Sequence, residues 1–329
     1  MIKTTVVGSY PVPMWLRVFS NRESLRDALL AVLKTQELAG IDVVSDGELC
    51  RWDINHAGSN GMIDYFVKPL DSVKAELSAV QLAAWRAQRG MDFRASPPGI
   101  VTGPIGPGTL NLKADFEFFR DLTTLPRKFT VTSPFMLART LADEHYGDLE
   151  TLVMALADVL KDQVKAIDAE IVQVDEANVP GCPEMGPVAA AGINRVLEGV
   201  STEKAVHLCY GNYGGQTIQE GAYEKLINFL NALDADHLVL ETAHRPEDEL
   251  TVLREVEGAG LGIGVIDIKV NEVETPEVVA GRIERAAGIL GVDRIQYVHP
   301  DCGFWMLPRS VADAKMRALT AGRNLFEGR

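Results

Sequence analysis

Short apolar runs rich in β-branched residues alternate with longer amphipathic segments through most of this chain of 329 residues. Such alternation is typical of β-strand and α-helix units whose strands pair in parallel within one sheet. The runs predicted to be strands are Thr4–Gly8, Ile41–Ser45, Phe129–Thr132, Ile171–Asp175, Ala205–Cys209, His237–Glu241, Gly264–Ile268 and Ile295–His299. Eight strands suit an α/β fold of the closed (βα)8 type, the TIM barrel, whose active site lies at the carboxyl ends of the strands.

A ninth run, Gly99–Ile105, is rich in glycine and proline and predicts a β-hairpin inserted into the barrel at about residues 91–106. The predicted helices are Glu23–Leu38, Leu149–Ala169, Ala222–Ala232, Pro246–Val256, Pro276–Leu290 and Ser310–Phe326. We therefore expect a single catalytic barrel domain over residues 1–329. The competing layout is an open doubly wound sheet, but no GxGxxG motif follows the first run.

Charge and composition argue against several classes of partner. The chain has 46 acidic and 32 basic residues, a formal net charge of −14, and no dense run of Lys or Arg, so neither nucleic acid nor a membrane is an expected partner. It has no apolar run of roughly 18 residues and no signal-like start, so we expect a cytoplasmic protein. In a reducing compartment its four cysteines are available to bind metal or to react.

Polar residues collect where the predicted strands end. His207 and Cys209 are two positions apart, so in an extended strand their side chains point to the same side and can share one ion. Cys302 and Glu241 end nearby strands, and imidazole, thiolate and carboxylate all suit Zn²⁺. The spacing alone leaves two interpretations open, a zinc site or a buried histidine beside small buried cysteines.

Several short stretches share their residues and their order with one enzyme family. They are Gly8-Ser9-Tyr10-Pro11, Ser45-Asp46-Gly47-Glu48 with Arg51 and Asp53, Gln173-Val174-Asp175-Glu176, His207-Leu208-Cys209-Tyr210, Glu241, Gly264-Val265-Ile266-Asp267, and Pro300-Asp301-Cys302-Gly303 with Arg309. On these stretches the whole chain resembles the C-terminal catalytic domain of cobalamin-independent methionine synthase and the stand-alone versions of that domain.

The resemblance implies a zinc-dependent methyltransferase that activates homocysteine, or another small thiol, as a thiolate. For Zn²⁺ it implies the ligands His207, Cys209, Glu241 and Cys302. For homocysteine it implies Ser9, Glu48 and Asp175. The chemistry is consistent with these roles, because a free thiol has a pKa of about 8.5 and only its thiolate is a competent nucleophile.

The residues for the methyl donor match the family less well. Full-length members use a polyglutamylated methyltetrahydrofolate, and the family's tryptophan is missing from residues 133–139. Gly181 stands near the family's acidic residue, and Lys269 replaces its histidine proton donor. The expected donor is therefore methyltetrahydrofolate or another methyl carrier such as a methylcorrinoid protein. Lys269 and His244 are the candidate catalytic residues for proton transfer.

Three other functions are consistent with parts of the pattern. An epoxide:coenzyme M transferase would use the same metal site, but the sulfonate thiol has no ammonium for Glu48 and Asp175 to receive. A non-catalytic zinc protein would have a closed site whose loss unfolds the chain. A zinc-free lyase would use Glu48, Asp175 and Glu176 for acid/base chemistry.

Overall fold

The computed structural model describes residues 1–52, 60–87, 95–213 and 216–329. Within them, eight parallel strands form one curled sheet. The strands are β1 (Lys3–Thr4), β2 (Val44–Ser45), β3 (Arg127–Thr132), β4 (Ile171–Glu176), β5 (Glu203–Leu208), β6 (His237–Leu240), β7 (Gly260–Ile266) and β8 (Ile295–Pro300). Each strand from β2 to β8 pairs with the next, and β8 pairs with β1. A parallel bridge between Thr5 and Val43 joins β1 to β2, so the predicted barrel is confirmed.

Helices follow most of the strands. They are α1 (Met14–Val18), α2 (Arg22–Ala39), α3 (Asp64–Val67), α4 (Ala79–Arg86), α5 (Leu112–Arg120), α6 (Pro134–Thr140), α7 (Leu149–Val164), α8 (Gly186–Leu197), α9 (Ile227–Asn231), α10 (Glu247–Val252), α11 (Pro276–Leu290) and α12 (Arg309–Phe326). Asp148 caps α7 by accepting a hydrogen bond from the backbone N–H of Thr151. No helix among the described residues is long and apolar enough to cross a membrane.

The strand β7 begins four residues before its predicted start at Gly264, at Gly260. Glycines alternate along it, and glycine lowers the strand signal of a sequence. At Gly262 a Cβ atom would lie 3.0 Å from Nε2 of His299, and at Gly264 it would overlap Oδ1 of Asp301. These glycines are therefore explained by the close approach of His299 on β8 and of Asp301 just after it.

A small sheet lies outside the barrel where the insertion was expected. Its middle strand, Ile100–Val101, pairs antiparallel with Val73–Lys74 and parallel with Ala142–Asp143. The inserted strand therefore pairs with residues on both sides of the predicted range of about 91–106. Residues 88–94 of this insertion lie outside the described residues. A second short ribbon pairs Asn212–Tyr213 with Gln216–Thr217.

The barrel interior changes from apolar to polar along the strands. One group of buried apolar residues includes Val7, Ile171, Val239 and Tyr297 and packs among the strands. A larger apolar layer packs the helices against the outside of the barrel. Polar and charged side chains then occupy the carboxyl ends of several strands, where burial makes each unpaired donor or acceptor costly.

Asp42 connects both ends of the chain to the loop before β2. Its Oδ2 accepts hydrogen bonds from the backbone N–H of Thr4 at 2.7 Å and from the Thr4 hydroxyl at 2.9 Å. The Arg323 guanidinium on α12 donates to the same oxygen at 2.7 Å and to the carbonyl of Ile2 at 2.7 Å. This network holds β1 in the ring between β8 and β2.

Asp42→Ala is expected to lower the free energy of unfolding by about 1–3 kcal/mol, because it leaves the Thr4 amide without its acceptor and the buried Arg323 without its anionic partner. Urea denaturation measures the change. Asp158→Ala is the control, since it removes an exposed ion pair with Arg195 and should change stability by less than about 1 kcal/mol. Equal losses in the two variants would contradict a special role for the Asp42 network.

Candidate functional site

Three side chains of the types that bind metals meet at the carboxyl ends of β5 and β8. His207 lies on β5, Cys209 is the first residue after β5, and Cys302 is the second residue after β8. One ligand atom from each of the three lies within 4.8 Å of the other two. Parallel strands bring these residues together although they are far apart in the chain.

The distances fit a tetrahedral zinc site. The Sγ atoms of Cys209 and Cys302 are 3.8 Å apart, and two sulfur ligands held tetrahedrally at about 2.3 Å from one ion would also be about 3.8 Å apart. His207 Nδ1 contacts the Val239 carbonyl at 2.8 Å, which fixes the proton on that nitrogen because a carbonyl only accepts. Its Nε2 is buried without a hydrogen-bond partner among the described residues. The three residues therefore fit a zinc ion.

The two thiols affect one another in opposite directions. Cys209 and then His207 lower the pKa of Cys302 well below its usual value, against the effect of burial. Cys302 and burial raise the pKa of Cys209. A divalent cation would stabilise both sulfurs as thiolates.

Glu241 follows β6 but is not in the group of three within 4.8 Å. Its Oε1 forms an ion pair of 2.7 Å with Lys269 Nζ, and its Oε2 accepts from the backbone N–H of Tyr210 at 3.2 Å. Both partners of the ion pair are almost completely buried. Ligation by Glu241 and proton transfer by Lys269 stay predictions.

Glu48 lies at the other side of the mouth, after β2. Its backbone has a φ of 59°, a conformation uncommon for a residue other than glycine, and its N–H donates to Oδ1 of Asp46 at 2.9 Å. Its carboxylate accepts from the Thr130 hydroxyl at 2.9 Å and lies 3.3 Å from Arg51 Nη1. The carboxylate is therefore held firmly at the edge of the barrel mouth.

Asp175, at the end of β4, is buried and accepts a hydrogen bond of 2.7 Å from the Gln173 amide. Burial raises its pKa to about 7, a rise opposed by His207 and increased by the Glu48 carboxylate. Its strand neighbour in the register is His207. Asp175 thus lies between the metal-binding triad and Glu48.

The other two predicted residues differ in their surroundings. Ser9 packs against Gly303, and a Cβ atom added at Gly303 would overlap Oγ of Ser9. The carbonyl of Ser9 accepts a hydrogen bond from the N–H of Phe304 at 2.8 Å. Ser9 is therefore next to the loop that carries Cys302. His244 is partly exposed and its Nδ1 lies 3.1 Å from Oδ2 of Asp267. Its role in proton transfer stays a prediction.

Comparison with known proteins identifies the family. The model of the family described as "Cobalamin-independent synthase, Catalytic domain" matches residues 2–322. The chain belongs to this cobalamin-independent synthase family. It is 28% identical over 338 residues to the methionine synthase of Thermococcus kodakarensis, in a match that covers 98% of this chain and 92% of the relative. It is 27% identical over 341 residues to that of Sulfurisphaera tokodaii, with 99% and 92% covered.

A solved structure has the same fold over the full length. It is a B12-independent methionine synthase from Shewanella sp. W3-18-1 in complex with selenomethionine. The TM-score is 0.84 at 28% sequence identity, and the match covers 100% of this chain and 98% of that one. This cobalamin-independent synthase is therefore a methyltransferase of the methionine synthase type. Asp53, one of the residues that carried the resemblance, lies outside the described residues.

Two residues of the synthase site were not predicted from the sequence. Lys128 on β3 is completely buried and donates to Oε1 of Gln173 at 2.8 Å, so it supports the amide that holds Asp175. Polar residues alternate along this strand at Lys128, Thr130 and Thr132, and this period of two was the available signal for a polar barrel lining.

Asp301 is the second such residue. Its carboxylate accepts hydrogen bonds from three successive backbone N–H groups, those of Thr242, Ala243 and His244, at 2.8–2.9 Å. Burial and the nearby Glu241 raise its pKa to about 7, and these donors oppose the rise. Asp301 fixes the loop after β6 to the end of β8 in the synthase.

Gly264→Ala is expected to displace Asp301 from these amides and to lower the free energy of unfolding by about 2–4 kcal/mol. Gly288→Ala in α11 is the matched control, because no atom lies within 4 Å of its added Cβ. This control should be neutral or stabilise the protein by up to about 1 kcal/mol. Chemical denaturation of both variants tests the close contact, and two neutral results would refute it.

Proposed function

We propose that this synthase binds Zn²⁺ through His207, Cys209 and Cys302 and transfers a methyl group to the sulfur of homocysteine, forming methionine. The observation that carries the proposal is the pair of cysteine sulfurs 3.8 Å apart beside the buried, unpartnered Nε2 of His207. Glu241 is the predicted fourth ligand. The methionine synthase relatives support the reaction.

Zn²⁺ bound there would lower the pKa of the substrate thiol so that its thiolate forms near neutral pH. Glu48 and Asp175 provide the negative charge that receives the ammonium group of an amino acid. Ser9, beside the Cys302 loop, is placed to bind its other polar groups. The selenomethionine in the Shewanella structure is a methylated amino acid of this class and supports such a pocket.

In the transfer, a carbon–sulfur bond forms, the bond between the methyl group and its carrier breaks, and the thiol proton is released. The carrier is methyltetrahydrofolate or another methyl donor such as a methylcorrinoid protein, and product formation with each donor distinguishes them. Lys269 and His244 are the proposed proton-transfer residues. Two acidic side chains in the pocket favour an amino-acid thiol over coenzyme M, which has no ammonium group.

The first test of the function is zinc content with X-ray absorption at the zinc edge. We expect about one zinc per chain and one additional sulfur ligand when homocysteine is added, because the thiol displaces water or a protein ligand from the metal. Cys209→Ser and Cys302→Ser should each lower zinc affinity by at least about tenfold. Cys182→Ser is the control, since this cysteine lies outside the triad, and it should keep its zinc.

The proposed metal site would be refuted if the protein binds no zinc. It would also be refuted if the zinc affinity is unchanged by both substitutions and the sulfur ligands of the zinc are unchanged by homocysteine. Circular dichroism of the metal-free protein separates an enzyme from a structural zinc protein. The fold should persist without metal, because the barrel has its own large apolar core. Unfolding on chelation would instead favour the structural role.

Methionine binding by the zinc-loaded protein should weaken as pH falls below about 7. Asp175, whose pKa is raised to about 7, becomes protonated there and loses its attraction for the ammonium group. The dissociation constant should rise by up to about tenfold per pH unit, as measured by calorimetry. Methionine is used because it has no thiol proton to titrate.

Asp175→Asn should bind methionine more weakly and lose this pH dependence. Asp121→Asn, at an exposed position, is the control and should follow the curve of the unmodified protein. An unchanged pH curve in Asp175→Asn would show that another group binds the ammonium.

A further inference from the structure

We propose that Arg51 is a positioning residue for amino-acid recognition, because it holds the carboxylate of Glu48 where the ammonium group of homocysteine or methionine binds. Arg51 acts indirectly, through Glu48 and the neighbouring Thr130. The inference rests on the proposed function, since it uses the predicted role of Glu48 in binding the substrate.

The guanidinium of Arg51 joins Glu48 to β3. Its Nη2 donates to the carbonyl of Thr130 at 2.5 Å and to the Thr130 hydroxyl at 2.7 Å. Its Nη1 lies 3.3 Å from Oε2 of Glu48. The Thr130 hydroxyl has one proton, which it donates to Oε1 of Glu48 at 2.9 Å. Arg51 therefore acts on both carboxylate oxygens, on one directly and on the other through Thr130.

The guanidinium is itself fixed by its surroundings. It lies 5.0 Å from the ring centroid of Phe66 on α3, and its Nη1 is 3.8 Å from Sδ of Met62. The side chains of Arg51 and Glu48 are 6% and 10% exposed, so solvent screens the pair only weakly. A lysine has no planar fork and cannot reproduce these simultaneous contacts.

The backbone of Glu48 and the opposite wall also restrict its carboxylate. The left-handed φ of 59° at Glu48 is a conformation that persists where the surrounding structure determines it. On the other side, a Cβ atom added at Gly8 would overlap Oε1 of Glu48. The carboxylate thus fills the space that this glycine leaves after β1, next to Ser9. Glu48 and Ser9, both predicted to bind homocysteine, therefore share one side of the barrel mouth.

An ion pair that only neutralises charge does not explain this arrangement. An arginine and a carboxylate that serve each other alone commonly form two parallel, short hydrogen bonds. Here the two shortest bonds of Arg51 go to Thr130, and the contact with Glu48 is longer. Among the described residues, the Glu48 carboxylate has one hydrogen-bond donor, the Thr130 hydroxyl. An ionised carboxylate can accept several more, so Glu48 keeps the capacity to receive an ammonium group.

The test compares methionine with desamino-methionine, in which a hydrogen atom replaces the amino group, by calorimetry on the zinc-loaded protein. The unmodified protein should bind methionine more tightly than the analogue. In Arg51→Met the affinity for methionine should fall at least about tenfold, because a displaced carboxylate loses its contact with the ammonium. The affinity for the analogue should stay unchanged, because the analogue has no ammonium.

Arg282→Met is the matched control. It also removes an arginine from a glutamate, Glu274 at 3.1 Å, but it does not touch Glu48. It should keep the affinities of the unmodified protein for both ligands.

Thr130→Val tests the same contact without removing a charge. It deletes the hydroxyl that joins Arg51 to Glu48 and should weaken methionine binding by about three- to tenfold, with no effect on the analogue. If Arg51→Met does not fold, this variant decides the matter.

Unchanged or tighter binding of methionine in either variant would overturn the inference. Equal losses for the two ligands would also overturn it, because a purely structural role weakens the pocket as a whole. Failure of the proposed function appears instead in the unmodified protein, as the absence of zinc or as equal affinity for the two ligands.

Discussion

An ionised side chain that is removed from water must be paired or hydrogen-bonded, and the mouth of this barrel buries several such groups in a small volume. Glu241 is neutralised by Lys269, and Asp301 accepts from three backbone amides. The buried Nε2 of His207, by contrast, is among the buried side-chain atoms that have no hydrogen-bond partner within the described residues. The unsatisfied atom lies in the triad with the two close sulfurs, and this is the physical reason to place a cation there.

The hydrogen bonds that satisfy these buried charges also determine the geometry of the site. β5 and β8 are not neighbours in the sheet, yet the cysteines that follow them, 93 positions apart in the chain, approach to 3.8 Å. Asp301 restrains one of these cysteines, because it ties the loop after β6 to the end of β8 immediately before Cys302. The same carboxylate requires Gly264 on β7, so a constraint in one loop determines a residue type in the neighbouring strand.

The sequence predicted the barrel and the approach of His207, Cys209 and Cys302 because both depend on local patterns. Strand periodicity and the spacing of His207 and Cys209 can be read directly from the sequence. The strand ends then meet by the rules of parallel sheets. The ion pair of Glu241 with Lys269 was not predictable in this way, since it depends on the conformations of two loops. The partners of Ile100–Val101 were missed for a similar reason, because strands of two residues contain too little periodicity to show their pairing.

Lys269 stands where the resemblance to the family predicts a histidine. A histidine gains and loses its proton near neutral pH, whereas a lysine whose pKa is not lowered is present there in its protonated form. Burial lowers the pKa of Lys269, but Glu241 more than offsets this effect and the pKa lies above its ordinary value. Lys269 therefore stays charged near neutral pH. The ammonium neutralises the buried carboxylate of Glu241 through their 2.7 Å ion pair, and in the proposed transfer it is a proton donor rather than a base.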